Sequence, residues 1–216
     1  MNIILFGAPG AGKGTQANNL VRDFNLYKVS TGDLLRNEIK NNTLLGKKIK
    51  SSIDEGLLVS DDIINKLIKK ILSDKKKNNR LIFDGYPRNL DQAKKLEILI
   101  KENDQKILCV LSLEIDKESI IRRILGRQIC SKCGLIFNEY FNPSTKKNHI
   151  CDKKFLLKRS DDNERIIRSR FDTYIDKTLP ILNFYKKQDL LHQINGKGKI
   201  DDIYKEIRDI IVSIAT

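Results

Sequence analysis

Asn2-Ile3-Ile4-Leu5-Phe6, running into Gly7-Ala8-Pro9-Gly10-Ala11-Gly12-Lys13-Gly14-Thr15, is the stretch on which the fold turns. The first five residues are mostly branched or aromatic and read as a buried strand. A helical pattern starts at about residue 13, so the glycines lie between a strand and a helix. There they let backbone amides converge on a phosphate, the helix adds its N-terminal dipole, and Lys13 supplies a point charge for the β and γ oxygens. The spacing is GxxxxGK with one departure. The residue after the lysine, normally Ser or Thr, is Gly14, so a hydroxyl ligand for Mg²⁺ is missing there and the metal must lean on phosphates, water and other carboxylates.

Beyond this loop, short apolar runs alternate with helical patterns. Tyr27 to Ser30, Arg80 to Asp84, Ile107 to Leu113 and Leu190 to Ile194 are further strand candidates, and helices are predicted at about 13–24, 61–73, 90–102, 117–127, 161–187 and 200–215. Asp61, Asp91, Asp116 and Asp201 fall at or near helix starts, where carboxylates can cap free amides. This order of units calls for a parallel, doubly wound α/β sheet with helices on both faces. Residues 31–59, helical and polar, and 128–160, with a CxxC, Pro143 and polar turns, break the rhythm. They read as inserts at the rim of the sheet, where such folds bind ligands.

With 216 residues the chain suits one sizeable domain with small inserts, and 40% hydrophobic against 32% charged residues excludes disordered and collagenous classes. The apolar runs fall short of the roughly 18 residues of a membrane span. The N-terminus lacks a basic region ahead of its apolar run, so a soluble, cytoplasmic protein without membrane association is expected. A net charge of +13 favours anionic partners, but 29 of the 41 basic residues are lysines spread along the chain. Nucleic acid is not an expected partner, because the chain has no Trp and only 6% aromatics to form stacking platforms. Cys109 lies in an apolar run and reads as core, whereas Cys130, Cys133 and Cys151 begin with a CxxC and suggest metal before disulfide.

Four motifs together are specific: Gly7 to Gln16; Ser30-Thr31-Gly32-Asp33-Leu34-Leu35-Arg36; Phe83-Asp84-Gly85-Tyr86-Pro87-Arg88; and Arg159-Ser160-Asp161-Asp162. In this order they resemble the adenylate kinases, more narrowly the bacterial long form with a cysteine-bearing lid. The resemblance implies a P-loop NTPase-type parallel sheet with two inserted domains. The core would comprise 1–29, 60–125 and 163–216, the NMP-binding insert 30–59, and the lid 126–162. It also implies reversible, Mg²⁺-dependent phosphoryl transfer from ATP to AMP giving two ADP, by a monomer.

By the same resemblance, ATP would lie on Gly10, Ala11, Gly12, Lys13, Gly14, Thr15, Arg127, Ile136, Phe137 and Gly198. AMP would lie among Thr31, Arg36, Leu57, Leu58, Val59, Gly85, Tyr86, Pro87, Arg88, Gln92, Arg159 and Arg170. The catalytic set would be Lys13, Asp84, Arg88, Arg123, Arg159 and Arg170. Arginine forks bidentately onto phosphate, and these positions use six of only 12 arginines in the chain. Gln92 would read the base, since a carboxamide offers a donor beside an acceptor. Asp84 and Asp33, at strand ends near the loop, are the candidates for holding Mg²⁺ through its waters, Asp84 before Asp33. For a structural zinc in the lid, Cys130, Cys133 and Cys151 supply three ligands. Lys154 stands where a second CxxC would close, which leaves Asp152 and His149 as alternatives for the fourth. The nearest rival reading is another nucleoside monophosphate kinase, acting on UMP or CMP or using GTP.

Overall fold

A computed structural model describes residues 1–159 and 161–215; Ser160 of the fourth motif lies outside the described residues. The central sheet contains β1 (Asn2–Gly7), β2 (Tyr27–Ser30), β3 (Leu81–Asp84), β4 (Ile107–Glu114) and β8 (Leu191–Asn195), ordered β2-β3-β1-β4-β8. Every pairing in it is parallel. Ile4 and Phe6 of β1 bury into one core with Phe83 and Val110, while Ile3 and Leu5 bury into a second with Ile82 and Leu111. Burial on both faces explains why β1, β3 and β4 read as apolar runs in the sequence.

Helices α1 (Lys13–Phe24) and α9 (Ile200–Ala215) cover the second face through Leu20, Ile203 and Ile207; α4 (Asp61–Leu72) and α5 (Leu90–Glu102) cover the first through Ile68 and Leu96. Between β2 and α4 the chain forms α2 (Thr31–Lys40) and α3 (Leu44–Asp54). They approach so closely that a Cβ on Gly46 would stand 2.1 Å from the Glu38 carbonyl oxygen. Residues 127–157 fold into an antiparallel sheet of β5 (Arg127–Cys130), β6 (Ile136–Asn138) and β7 (Leu156–Leu157), ordered β6-β5-β7.

Three expectations change. The helix α6 (Lys117–Leu125) stops before residue 127. A Cβ at Gly126 would lie 2.6 Å from Tyr140 Cδ2 and 2.9 Å from Asn138 Oδ1, so the chain must leave the helix where the insert folds back. The single helix predicted over 161–187 is broken into α7 (Glu164–Thr173), a wide π turn at Tyr174–Thr178, and α8 (Ile181–Lys186). Pro180 supplies no N–H to the ladder, and Leu179 N–H instead reaches back to the Tyr174 carbonyl at 2.8 Å. Of the four aspartates expected to cap, only Asp116 does so, accepting from Ser119 N–H at 2.9 Å. Asp61, Asp91 and Asp201 sit inside first turns, where they favour the helix dipole. The cap of α5 is Asn89, whose Oδ1 accepts from Gln92 N–H at 2.8 Å.

Candidate active site and metal centre

The glycine loop bends from β1 into α1 with Gly10 and Gly12 at φ of 84° and 99°, a region that side chains other than glycine enter at a cost. Gly10 is doubly required, because a Cβ there would press to 2.6 Å on Ile124 Cγ1. Lys13 curls back over the loop, its Nζ donating to the carbonyls of Gly7 at 2.7 Å and Ala8 at 3.0 Å. Burial pushes the Lys13 ammonium down to about 8; Asp84 opposes this, while Arg88 and Arg127 add to it. An anion arriving at the loop would therefore meet a cation short of counter-charge.

The loop opens onto a cleft of about 520 Å³ that collects most of the expected site. Gly10 to Thr15, Arg123, Arg127, Ile136, Phe137 and Gly198 line one part. Thr31, Arg36, Leu57, Leu58, Val59, Gly85, Pro87, Arg88, Gln92, Arg159 and Arg170 line the rest, with Asp33 and Asp84 between. Tyr86 is not brought in. Its ring is buried in the core beside Phe83, with the centroids 6.2 Å apart, and its hydroxyl donates to Asn65 Oδ1 at 3.2 Å. The Thr31 hydroxyl donates to the Gly85 carbonyl at 3.0 Å, tying the start of α2 to the end of β3.

The arginines are held by carboxylates and backbone oxygens. Arg127 forks onto Asp162, with Nε 2.8 Å from Oδ2, and Arg170 binds Asp161. Arg36 Nη2 lies 2.5 Å from Asp33 Oδ1, Arg159 Nη2 lies 3.6 Å from the same oxygen, and Arg36 Nη1 reaches to 3.8 Å from Asp161 Oδ2. Arg88 Nε donates to the Gly85 carbonyl at 2.8 Å, and Arg123 touches the Ala11 carbonyl at 3.4 Å. Burial lowers Arg88 and Arg159 to about 10, and neighbouring arginines add to it. Burial raises Asp33, but Arg36, Arg159 and Lys28 outweigh it and hold the carboxyl at about 2.

Sequence reasoning gave no role to Asp161, Asp162 or Lys28. The two aspartates were quoted within a motif, but nothing in one chain shows that they face arginines. Lys28 Nζ stands 3.4 Å from Asp84 Oδ2 and 3.9 Å from Asp33 Oδ2. A Cβ on Gly14 would meet Ile136 Cδ1 at 3.2 Å and both Asp84 Oδ2 and Lys28 Nζ at 3.6 Å. The carboxylates of Asp84 and Asp33 are hard oxygen donors beside the phosphate loop, which suits Mg²⁺.

In the β5–β7 insert, Cys130, Cys133, His149 and Cys151 bring one ligand atom each within 4.8 Å of one another. Three soft thiolates and an imidazole at that spacing suit tetrahedral zinc. Of the two alternatives for the fourth ligand, His149 belongs to the cluster and Asp152 does not. The Asp152 side chain turns the other way and caps the Lys154 N–H at 2.9 Å. His149 is buried, with Nε2 3.5 Å from Cys133 Sγ and Nδ1 2.8 Å from Ser144 Oγ, so the nitrogen facing the thiols is the one left for a metal. Its ring also packs on Phe137, with the centroids 4.7 Å apart.

A sequence model described as "Adenylate kinase" matches residues 5–190. An adenylate kinase of Pelagibacter ubique is 47% identical over 211 residues, covering 98% of this chain and 99% of that protein. Adenylate kinases of Enterococcus faecalis and Clostridioides difficile are 39% and 40% identical, the first over 98% of this chain and 99% of its own length, the second over 96% of each. Sequence, fold and cleft thus agree, and the chain belongs to the adenylate kinase family.

Proposed function

We propose that the cleft catalyses reversible phosphoryl transfer between ATP and AMP through the residues identified above, serving adenine nucleotide homeostasis. The observation that carries this is the gathering of Lys13 and six arginines onto one cleft, most of them held by acidic side chains or backbone oxygens that a phosphate could replace. ATP would lie with its phosphates on Gly10 to Thr15 and its base toward Arg127, Ile136, Phe137 and Gly198. AMP would lie with its phosphate toward Arg36, Arg88 and Arg170 and its base between Leu57, Leu58, Val59 and Gln92. The donor and acceptor phosphates then meet between Lys13, Arg123 and Arg159.

The attacking oxygen of AMP is already anionic near neutral pH, so no general base is needed. Consistent with this, His149 sits in the cysteine cluster and His192 lies on β8. The chain contributes alignment and a fixed positive field that stabilises charge on the equatorial oxygens as the phosphoryl group moves. Asp84 and Asp33 are the residues that would hold, through its waters, the Mg²⁺ that adenylate kinases use with ATP, and the ion would offset phosphate charge. Segments 30–59 and 126–162 would act as NMP-binding and lid domains that exclude water from the reaction. No helix among the described residues is long and apolar enough to cross a membrane. Cytoplasmic residence and a monomeric state are part of this proposal, and light scattering after gel filtration tests the second.

The deciding assay supplies Mg²⁺ and ATP with each of AMP, GMP, CMP and UMP and follows nucleoside diphosphate formation. ADP formed with AMP alone is expected. Transfer to another monophosphate would overturn the AMP site, and no transfer would overturn the whole reading.

A further inference from the structure

Gln92 is almost fully buried, and the protein already uses half of its carboxamide. Its Nε2 donates to Asp61 Oδ1 at 2.6 Å, and its Oε1 accepts from Arg88 N–H at 2.8 Å. Asp61 is itself anchored from the other side. Asn89 Nδ2 donates to both Asp61 oxygens, at 3.1 and 3.0 Å, while Asn89 Oδ1 is committed to capping Gln92 N–H. A carboxylate only accepts and a backbone N–H only donates, so the Gln92 amide can take one of its two flips and not the other. In that flip one N–H and one oxygen lone pair remain for a ligand, in a fixed order.

That order matters for a purine. Adenine presents a donor at its exocyclic amine beside an acceptor at N1. Hypoxanthine and guanine present the reverse, an acceptor at O6 beside a donor at N1. A carboxamide free to flip could serve either edge, whereas a locked one serves only one edge for a nucleotide whose phosphate is fixed. We propose that Asp61 is a specificity-determining positioning residue, which locks the Gln92 carboxamide in the flip that matches adenine and mismatches 6-oxopurines. This rests on the proposed placement of the AMP base at Gln92. The energetic logic is that of a buried polar group left facing its like when the wrong base enters.

The test compares kcat/KM for AMP, IMP and GMP in the wild type, Asp61→Asn, Asp61→Ser and Gln92→Ala, at saturating MgATP, with thermal melting of each protein. Asparagine and serine at position 61 can both donate and accept, so only the Arg88 N–H is left to oppose the flip. In both variants the preference for AMP over IMP is expected to narrow by about tenfold, carried by KM rather than kcat, with the KM for ATP unchanged. A purely structural role would change melting or all substrates alike and leave that ratio where it was. Gln92→Ala separates the two readings. If it leaves the KM for AMP unchanged, the placement of the base fails. If it raises that KM while both folded Asp61 variants keep the wild-type AMP/IMP ratio, the role given to Asp61 alone is overturned.

Discussion

Arg36 and Asp33 lie one turn apart on α2, with Nη2 of the arginine 2.5 Å from Oδ1 of the aspartate. The pair faces the cleft, and Asp33 also stands near Arg159 and Lys28. Its carboxyl is held at about 2, below the ordinary carboxylate value, so the folded state binds fewer protons there than the unfolded chain does. The stability this contributes is present above about pH 4 and is lost as pH falls toward 2. Melting temperatures followed from pH 5 to 2 should fall less steeply in Asp33→Asn than in the wild type. With 44% of the side chain exposed, the difference should shrink at high salt.

Lys13 gives the same sign in a higher pH window. Its folded value of about 8 lies below the ordinary lysine value, so between about pH 8 and 10.5 the unfolded chain holds more protons and stability rises with pH. A bound triphosphate favours the charged ammonium, so nucleotide binding near pH 8.5 should take up a proton. Calorimetry in buffers of differing ionisation enthalpy measures this uptake, and it should vanish in Lys13→Met. The same variant should lose at least about a hundredfold in kcat while keeping its fold by circular dichroism.

The cysteine cluster predicts about one zinc per purified chain, lost in His149→Ala but retained in Asp152→Ala. Chelation should lower the melting temperature by about 5 °C or more, since the metal joins segments that otherwise share only a small sheet. Full melting stability of a demonstrably zinc-free protein would count against a structural role.

Gly46→Ala probes the α2–α3 contact. An added Cβ would overlap the Glu38 carbonyl and the helices must part, so a loss of about 1–3 kcal/mol is expected by denaturant titration. Because Arg36 rides on α2, the KM for AMP should rise in the same protein.

What could be read in the sequence was whatever is local or fully buried. The central strands announced themselves because both faces are covered, and the loop because its chemistry needs consecutive glycines. What could not be read depends on segments far apart in sequence. The Arg127–Asp162 pair joins positions 35 residues apart, and Arg170 meets Asp161 only when the segment ahead of α7 turns back along that helix. His149 was no better placed than Asp152 until the backbone turned one inward and the other toward Lys154. The break at Tyr174–Thr178 needed only Pro180, whose effect on a helical pattern was passed over.

Gly14 lies where the phosphate loop approaches the β6 strand, with Ile136 Cδ1 3.2 Å from the position a Cβ would fill. A serine or threonine there would press on that methyl, which would have to give by a few tenths of an ångström. The chain therefore trades a hydroxyl anchor for a flush seal. Without that anchor, the protein's grip on a divalent ion would rest on carboxylates acting through water, and the ion would travel with the nucleotide.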